Sequence, residues 1–175
     1  MSCYRRQIVP GGTYFFTVRL EDRRSDLLLR EIELLRDCLR LCRRRWPFVI
    51  DTAVILPDHL HMIWTLPDGD GNFSARWRLI KSSFSRNVPP PGVRAPSKVA
   101  RGEKGIWQRR FWEHRIRDDA DLGVHRDLIL TAPVRAGLVA RPQDWPFSSI
   151  HRDLAAGHPV PVTAASALSP RARAG

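Results

Sequence analysis

Two histidines that lie two positions apart, His59 and His61, are the residues of this sequence whose type and spacing best suit metal chemistry. They follow a turn at Pro57-Asp58 in an apolar segment, which predicts a β-strand. Alternate side chains of a strand point to the same face, so both imidazoles could offer a nitrogen to one divalent metal ion. Because isolated strand histidines are more often surface or hydrogen-bonded core residues, the pair alone leaves the metal site open.

The composition of the chain favours a polyanionic partner. In 175 residues, 29 Lys and Arg against 18 Asp and Glu give a formal net charge of +11. Arg predominates among the basic residues, and its guanidinium can bind a phosphate through two parallel hydrogen bonds. A GC-rich genome, which uses Arg codons freely, is the competing explanation. Nucleic acid is therefore the partner class that the sequence favours.

Two basic segments are candidates for the contact with nucleic acid. In the first, Phe73, Trp77, Ile80 and Phe84 recur at helical spacing and predict a helix with a basic polar side. In the second, residues 106–117 mix aromatic side chains, which can stack on unpaired bases, with arginines, which can hold phosphates. The candidate DNA-binding residues are Arg76, Lys81, Arg86, Trp107, Gln108, Arg109, Arg110, Arg115 and Arg117. A solvated helix face and a buried strand filled by aromatic residues are the alternatives.

The remaining elements must position these residues. Patterns of apolar residues predict strands at about 13–20, 48–56, 59–66 and 106–117, and helices at about 26–46, 73–86 and 119–131. The order β-α-β-β-α-β-α favours an α+β, ferredoxin-like antiparallel sheet with helices packed on one face. We expect one domain over residues 1–156, with a basic loop at 88–105, and a disordered tail rich in Pro and Ala over 157–175.

The sequence shows no sign of a secreted or membrane protein. It has three cysteines, an odd number that does not suggest a disulfide framework. The first ten residues lack the apolar core of a secretory signal, and no run of about 20 apolar residues could span a bilayer. We therefore expect a cytoplasmic protein without a membrane partner. A monomer and a homodimer are both compatible with the sequence.

Three motifs together resemble the single-tyrosine HUH transposases, and the last two resemble their branch of REP-associated tyrosine transposases. The segment LPDHLHMI at 56–63 resembles "MPNHxHLL". WQ at 107–108 with FWEHRIRD at 111–118 resembles "WQ…Y…H.IR". APVRAGLV at 132–139, followed by Pro142, Asp144-Trp145 and Ser148-Ser149, resembles "NPVRAGLV..P..W.WSS". The resemblance extends from about residue 5 to residue 154.

This resemblance implies both a fold and a chemistry. Members of the family have a ferredoxin-like fold, bind hairpins of palindromic repeats and nick the adjoining single-stranded DNA. Their two histidines, His59 and His61 in this sequence, hold Mg²⁺ or Mn²⁺, which polarises the scissile phosphate. A helix tyrosine then attacks to give a 5′-phosphotyrosine and a free 3′-hydroxyl. A phenol with a pKa of about 10 ionises more readily than an aliphatic alcohol, which suits it to this reversible step.

The sequence departs from the family pattern on the helix that should carry the nucleophile. The family reads "DYIxxNPV" where this chain reads DLILTAPV at 127–134, so Leu128 stands at the tyrosine position. Ala132, four residues further, replaces the polar residue that completes the metal site. Leucine cannot act as a nucleophile, and alanine cannot bind a metal. We therefore hypothesise that the chain has kept hairpin binding and lost strand transfer.

Other residues could substitute for the missing groups. Tyr4 and Tyr14 are the two tyrosines of the chain, and we expect Tyr14, on the first predicted strand, to lie near the histidines. Thr131 is close in sequence to the expected position, but its alkoxide would be far less stable than a phenolate. His114 and His125 are candidate third metal ligands, or structural or DNA-contacting residues. An active transposase, a DNA-hairpin binder without catalysis and an RNA-binding protein are thus the three functions to distinguish.

Overall fold

A four-stranded antiparallel sheet lies at the centre of the computed structural model, which describes residues 8–94 and 96–159. Its strands are β1 (Thr13–Arg19), β2 (Val49–Ile55), β3 (His59–Thr65) and β4 (Trp112–Arg115). Their spatial order is β2-β3-β1-β4, with the two longest pairings between β3 and its neighbours. The predicted antiparallel α+β fold of ferredoxin-like type is confirmed.

Within residues 8–94 and 96–159, seven short to medium helices connect and cover the strands. They are α1 (Leu27–Arg30), α2 (Ile32–Arg45), α3 (Phe73–Asn87), α4 (Pro96–Val99), α5 (Asp119–Leu130), α6 (Ala132–Arg135) and α7 (Ile150–Ala155), with a 3₁₀ turn at Pro142–Asp144. The helix predicted over 26–46 is divided at Glu31, whose backbone leaves the helical region between α1 and α2. None of the helices in the described ranges is both long and apolar enough to cross a bilayer.

The larger hydrophobic cluster lies between one face of the sheet and the helices α2 and α3. Leu60, Met62 and Trp64 of β3 belong to it, which confirms that the residues alternating with the histidines point into a core. The predicted stripe of α3, from Phe73 to Phe84, is buried in the same cluster. Aromatic rings fill its centre, and Trp64 stacks on Trp77 with ring centroids 4.2 Å apart.

A second cluster lies on the opposite face of the sheet, beneath α5 and α6. It joins Phe15 of β1 and Ile63 of β3 to Ile129 and Ala132. The helices therefore cover both faces, and the predicted packing on one face holds for α2 and α3 but not for α5. The histidines share this second face, because their positions on β3 alternate with those of the first cluster.

The fourth strand is much shorter than the predicted span of 106–117. Thr17 pairs with Trp112, whereas Leu20 bridges to Trp107. The chain thus advances by three residues from Thr17 to Leu20 but by five residues from Trp107 to Trp112. The two extra residues form a bulge that carries the exposed side chains of Arg109 and Arg110. The predicted loop at 88–105 contains the short helix α4, and most of the predicted tail lies outside the described residues.

Candidate functional site

His59 and His61 lie side by side on β3, on the face covered by α5. Their ring centroids are 5.0 Å apart, and the ring planes are nearly perpendicular, at 84°. His61 also stacks on Phe15 of the neighbouring strand, with centroids 5.6 Å apart. Strand β3 is flanked by β1 and β2, so its backbone is fixed on both sides. The sheet therefore holds two imidazoles in one place, as the spacing predicted.

Two side chains that the sequence analysis did not single out orient these imidazoles. Nδ1 of His59 lies 2.6 Å from Oδ1 of Asp58, and the other oxygen of this carboxylate accepts from Nε of Arg23 at 2.9 Å. Because a carboxylate only accepts, His59 donates from Nδ1 and keeps the lone pair of Nε2 for a metal ion. Nδ1 of His61 is hydrogen-bonded to Oγ1 of Thr17 at 2.8 Å.

Both histidines are kept in the form that binds metals. Burial lowers the pKa of His61 to about 3, and the neighbouring charges of His59, Arg19 and Arg135 act in the same direction. Burial also lowers the pKa of His59, although the carboxylate of Asp58 opposes the shift. Both imidazoles are thus largely neutral near pH 7, as metal coordination requires.

Neither of the two other expected site residues offers chemistry to this pair. Ala132 is 5% exposed and packs in the second cluster. Leu128 is 36% exposed, and its carbonyl accepts a hydrogen bond of 2.6 Å from Arg135, the residue whose charge acts on His61. The hydroxyl of Thr131 donates to the carbonyl of Asp127 at 2.6 Å, within its own helix turn. The site thus offers two imidazole nitrogens, but neither Leu128 on α5 nor Ala132 at the start of α6 supplies a nucleophile or a metal ligand.

Tyr14 cannot replace the missing nucleophile from its position in the fold. Its side chain is 1% exposed and lies in the first cluster, on the opposite face of the sheet from the histidines. Its hydroxyl accepts from the backbone nitrogen of Val9 at 2.7 Å, and its ring lies 4.8 Å from that of Phe73. The prediction that Tyr14 lies near the histidines is wrong. Successive residues of a strand point to opposite faces, so Phe15 lies on the histidine face and Tyr14 on the other. Tyr4 lies outside the described residues.

A basic groove lies between α3 and residues 103–111, and we call it the α3 groove. Its volume is about 530 Å³. Four of the predicted DNA-binding residues meet there: Lys81, Trp107, Gln108 and Arg109. Arg78 and Lys104 also line it, and Glu103 pairs with Arg109 at 2.7 Å. Positive charge therefore predominates along its walls.

Lys81 links the two sides of the α3 groove. Its ammonium donates to the carbonyl of Gln108 at 2.5 Å and to that of Arg109 at 3.2 Å. Burial, followed by the charge of Lys98, lowers the pKa of Lys81 to about 8. Lys81 thus fixes the position of the bulge as well as adding charge to the groove.

A second depression, of about 450 Å³, lies at the edge of the sheet, and we call it the edge depression. It is lined by Thr17, Arg19, Gln108, Arg110, Phe111 and Trp112. Gln108 and Phe111 line the α3 groove as well. Thr17 also contacts His61, so the edge depression leads to the histidine face. The α3 groove and the edge depression therefore adjoin each other at the bulge.

The other predicted DNA-binding residues are distributed differently. Arg86, Arg115 and Arg117 are exposed, but they line neither the α3 groove nor the edge depression. Trp107 is 8% exposed and packs on Phe84, so it serves largely as a core residue. Trp112, which is 54% exposed, is the aromatic side chain of this segment that is open to stacking.

Arg76 does not belong to this surface. It is 2% exposed, and its guanidinium donates to the carbonyls of Trp46, Asn72 and Pro47 and to the carboxylate of Asp70 at 2.7 Å. All its nitrogens are thus occupied by protein partners in the interior. We correct its predicted role accordingly: Arg76 ties the start of α3 to the end of α2.

Comparisons with known proteins find relatives over most of the chain. The REP-associated tyrosine transposase of Escherichia coli (strain K12) is 48% identical over 157 residues, which cover 90% of this chain and 87% of that protein. A putative REP-associated tyrosine transposase of Haemophilus influenzae is 43% identical over 89% of each protein. A solved structure of a REP-associated tyrosine transposase bound to a REP hairpin has a TM-score of 0.77 at 45% identity and covers 94% of this chain and 96% of that one. No family model matches the chain.

Proposed function

The chain belongs to the REP-associated tyrosine transposases, and we propose that it binds a DNA hairpin with adjoining single strand but performs no tyrosine-mediated strand transfer. The related structure bound to a REP hairpin supports a hairpin as the ligand. The net charge of +11 supports a polyanionic partner.

The observation that carries the proposal is the basic surface formed by the adjoining α3 groove and edge depression. Phosphates of the hairpin would contact Arg109 and Arg110 on the bulge and Lys81 beneath it. An unpaired base of the flanking strand would stack on Trp112, which leads the strand towards the histidine face. Arg86, Arg115 and Arg117 would add contacts from outside the two depressions.

The histidine pair fits a divalent cation only in part. His59 and His61 would hold Mg²⁺ or Mn²⁺ through two nitrogens, and the ion would offset charge on a bound phosphate. The third ligand position is the apolar Ala132. With Leu128 at the nucleophile position, a phosphate held near this ion would meet no phenol from α5. The site therefore supports binding of the strand without its cleavage by a helix tyrosine.

The experiment that tests this proposal uses a 5′-labelled DNA hairpin with single-stranded flanks, incubated with Mn²⁺. We expect the wild-type chain to shift the DNA in a native gel but to leave it uncut, without a covalent adduct in a denaturing gel. Leu128→Tyr, alone and with Ala132→Asn, tests whether the scaffold can cleave once the missing groups are supplied. The matched single variant Leu138→Tyr places a phenol at another exposed leucine and should give no adduct.

Each part of the proposal can fail separately. A covalent adduct with the wild-type chain would refute the loss of strand transfer and require another nucleophile. Equal affinity for an unstructured strand of the same length would refute hairpin recognition, and tighter binding of the matched RNA hairpin would refute DNA as the partner.

A further inference from the structure

We propose that His114, Asp121 and His125 form a second metal site, separate from the histidine pair, that takes a transition-metal ion of the Zn²⁺ class. His114 lies on β4, and Asp121 and His125 lie one turn apart on α5. Each side chain offers a ligand atom, and these three atoms all lie within 4.8 Å of one another. Among residues 8–94 and 96–159, this is the group of three such side chains that could hold an ion. The proposal does not depend on the proposed hairpin binding.

The distances are close to those of a three-ligand metal site. Nε2 of His114 lies 2.9 Å from Oδ2 of Asp121, and Nδ1 of His125 lies 3.2 Å from Oδ1 of Asp121. Ligands about 2.0–2.2 Å from a tetrahedral Zn²⁺ are separated by roughly 3.5 Å, so small side-chain movements suffice. The two imidazoles are almost parallel, at 13°, with centroids 4.4 Å apart. Because the lone pair of an imidazole nitrogen lies in the ring plane, the two rings would tilt towards each other to direct both nitrogens at one ion.

The surroundings keep the ligands in position. The backbone nitrogen of Arg117 donates to Asp121 at 3.1 Å, a bond that leaves the other oxygen of this carboxylate available for an ion. The guanidinium of Arg117 also contacts Asp121, at 3.0 Å, but this side chain is 69% exposed and can turn towards solvent. His125 packs on Phe15 at 5.0 Å, and His114 stacks on Trp112 at 6.0 Å. An entering ion would thus displace the exposed side chain of Arg117, the proton that Nε2 of His114 donates to Asp121 at 2.9 Å, and the hydrogen bond of 2.8 Å from Nδ1 of His125 to the backbone carbonyl of Asp121.

The donor set indicates the class of ion. Two imidazoles and one carboxylate suit Zn²⁺, Co²⁺ and related ions, whereas Mg²⁺ prefers oxygen ligands. The side chain of Asp121 is only 7% exposed and accepts hydrogen bonds from the guanidinium of Arg117 at 3.0 Å and from Nε2 of His114 at 2.9 Å. The negative charge of this ligand offsets part of the charge of the ion.

The site would join α5 to the sheet. One ligand comes from the edge strand and two from the helix that carries position 128, so a bound ion would act as a link between them. The ring of Phe15 lies near both groups, with centroids 5.6 Å from His61 and 5.0 Å from His125. The histidine pair and the proposed site have no residue in common, so each can be changed separately by mutation.

The test uses the full chain with His59→Ala and His61→Ala, which removes the pair and leaves the proposed site. We expect this variant to bind about one equivalent of Zn²⁺ in equilibrium dialysis and to give the visible absorption of tetrahedral Co²⁺. Addition of His125→Ala or Asp121→Asn should weaken Zn²⁺ binding by more than ~100-fold, since loss of even an outer partner of a ligand costs roughly 10- to 100-fold. Asp119→Asn, in the same helix turn, is the matched control and should leave the affinity unchanged.

Thermal unfolding without and with Zn²⁺ separates a metal site from a hydrogen-bonded cluster. A bound ion should raise the Tm of the double-alanine variant by about 5 °C at saturating Zn²⁺, and the Asp121→Asn variant should show no such shift. His125→Ala provides the same comparison if Asp121→Asn does not fold. Absence of stoichiometric Zn²⁺ in the folded double-alanine variant, or unchanged affinity after loss of Asp121 or His125, would refute the proposal.

Discussion

Replacing Arg76 by methionine should destabilise the protein without weakening its contact with DNA. The guanidinium is buried and joins the carbonyls of Trp46, Pro47 and Asn72 to the carboxylate of Asp70. Methionine can follow the path of the aliphatic stem, but it donates no hydrogen bond. The substitution therefore leaves three carbonyls and one carboxylate without this donor.

The size of the effect follows from the burial of this cluster. Loss of one partner from a buried ion pair costs roughly 3–5 kcal/mol, because the remaining polar groups lose both water and partner. The side chain of Asp70 is 33% exposed and can be hydrated in part, which favours the lower end of the range. We therefore expect a loss of about 3 kcal/mol in the free energy of unfolding and a fall in Tm of roughly 6–12 °C.

The assay compares Arg76→Met with Arg78→Met on the same helix. Arg78 is exposed and lines the α3 groove, so its loss should change Tm by no more than about 2 °C and weaken hairpin binding. Both variants are measured by calorimetry and, well below their Tm, by fluorescence anisotropy with a labelled hairpin. A variant at Arg76 that keeps the wild-type Tm but binds the hairpin more weakly would contradict this reasoning and restore Arg76 to the DNA surface.

Two further predictions concern the proposed DNA surface. Because the pKa of Lys81 is lowered to about 8, this residue loses its positive charge as the pH rises from 7 to 9. Hairpin affinity should therefore fall over this range for the wild-type chain, and it should fall less for the Lys81→Arg variant. Anisotropy titrations that show the same fall in affinity for both proteins would contradict this prediction. Trp112→Ala should weaken binding of the single-stranded flank by about 1–3 kcal/mol, or roughly 5- to 150-fold, through loss of base stacking. The control Val124→Ala, at another exposed apolar residue, should bind normally, and normal binding by the Trp112 variant would exclude stacking there.

The parts of the fold that depend on local patterns could be predicted from the sequence. The spacing of Phe73, Trp77, Ile80 and Phe84 correctly indicated both the helix α3 and its buried face. The same spacing also indicates that Arg76 is buried, which argues against its predicted role in DNA binding. Arg76 lies three residues after Phe73 and four before Ile80, which places it on the buried stripe rather than the polar side.

The parts that depend on contacts distant in sequence could not be predicted in the same way. The bulge that exposes Arg109 and Arg110 results from the shift in register between β1 and the segment before β4, which no local pattern records. The position of α5 on the second face is likewise set by tertiary packing. The spacing of Asp121 and His125 on α5 is visible in the sequence, but the proximity of His114 follows from strand pairing.

The two changes, Leu128 on α5 and Ala132 at the start of α6, differ in how readily they could be reversed, and this difference affects the cleavage experiment. Leu128 is 36% exposed, so a tyrosine there can extend into solvent with little cost to folding. Ala132 is 5% exposed among apolar side chains, so an asparagine there buries an amide, at a cost of roughly 1–3 kcal/mol unless it finds a partner. A metal ion held by His59 and His61 is such a partner. Leu128→Tyr alone therefore tests the nucleophile on an intact fold, and any further gain from Ala132→Asn that depends on Mn²⁺ reports on the third ligand.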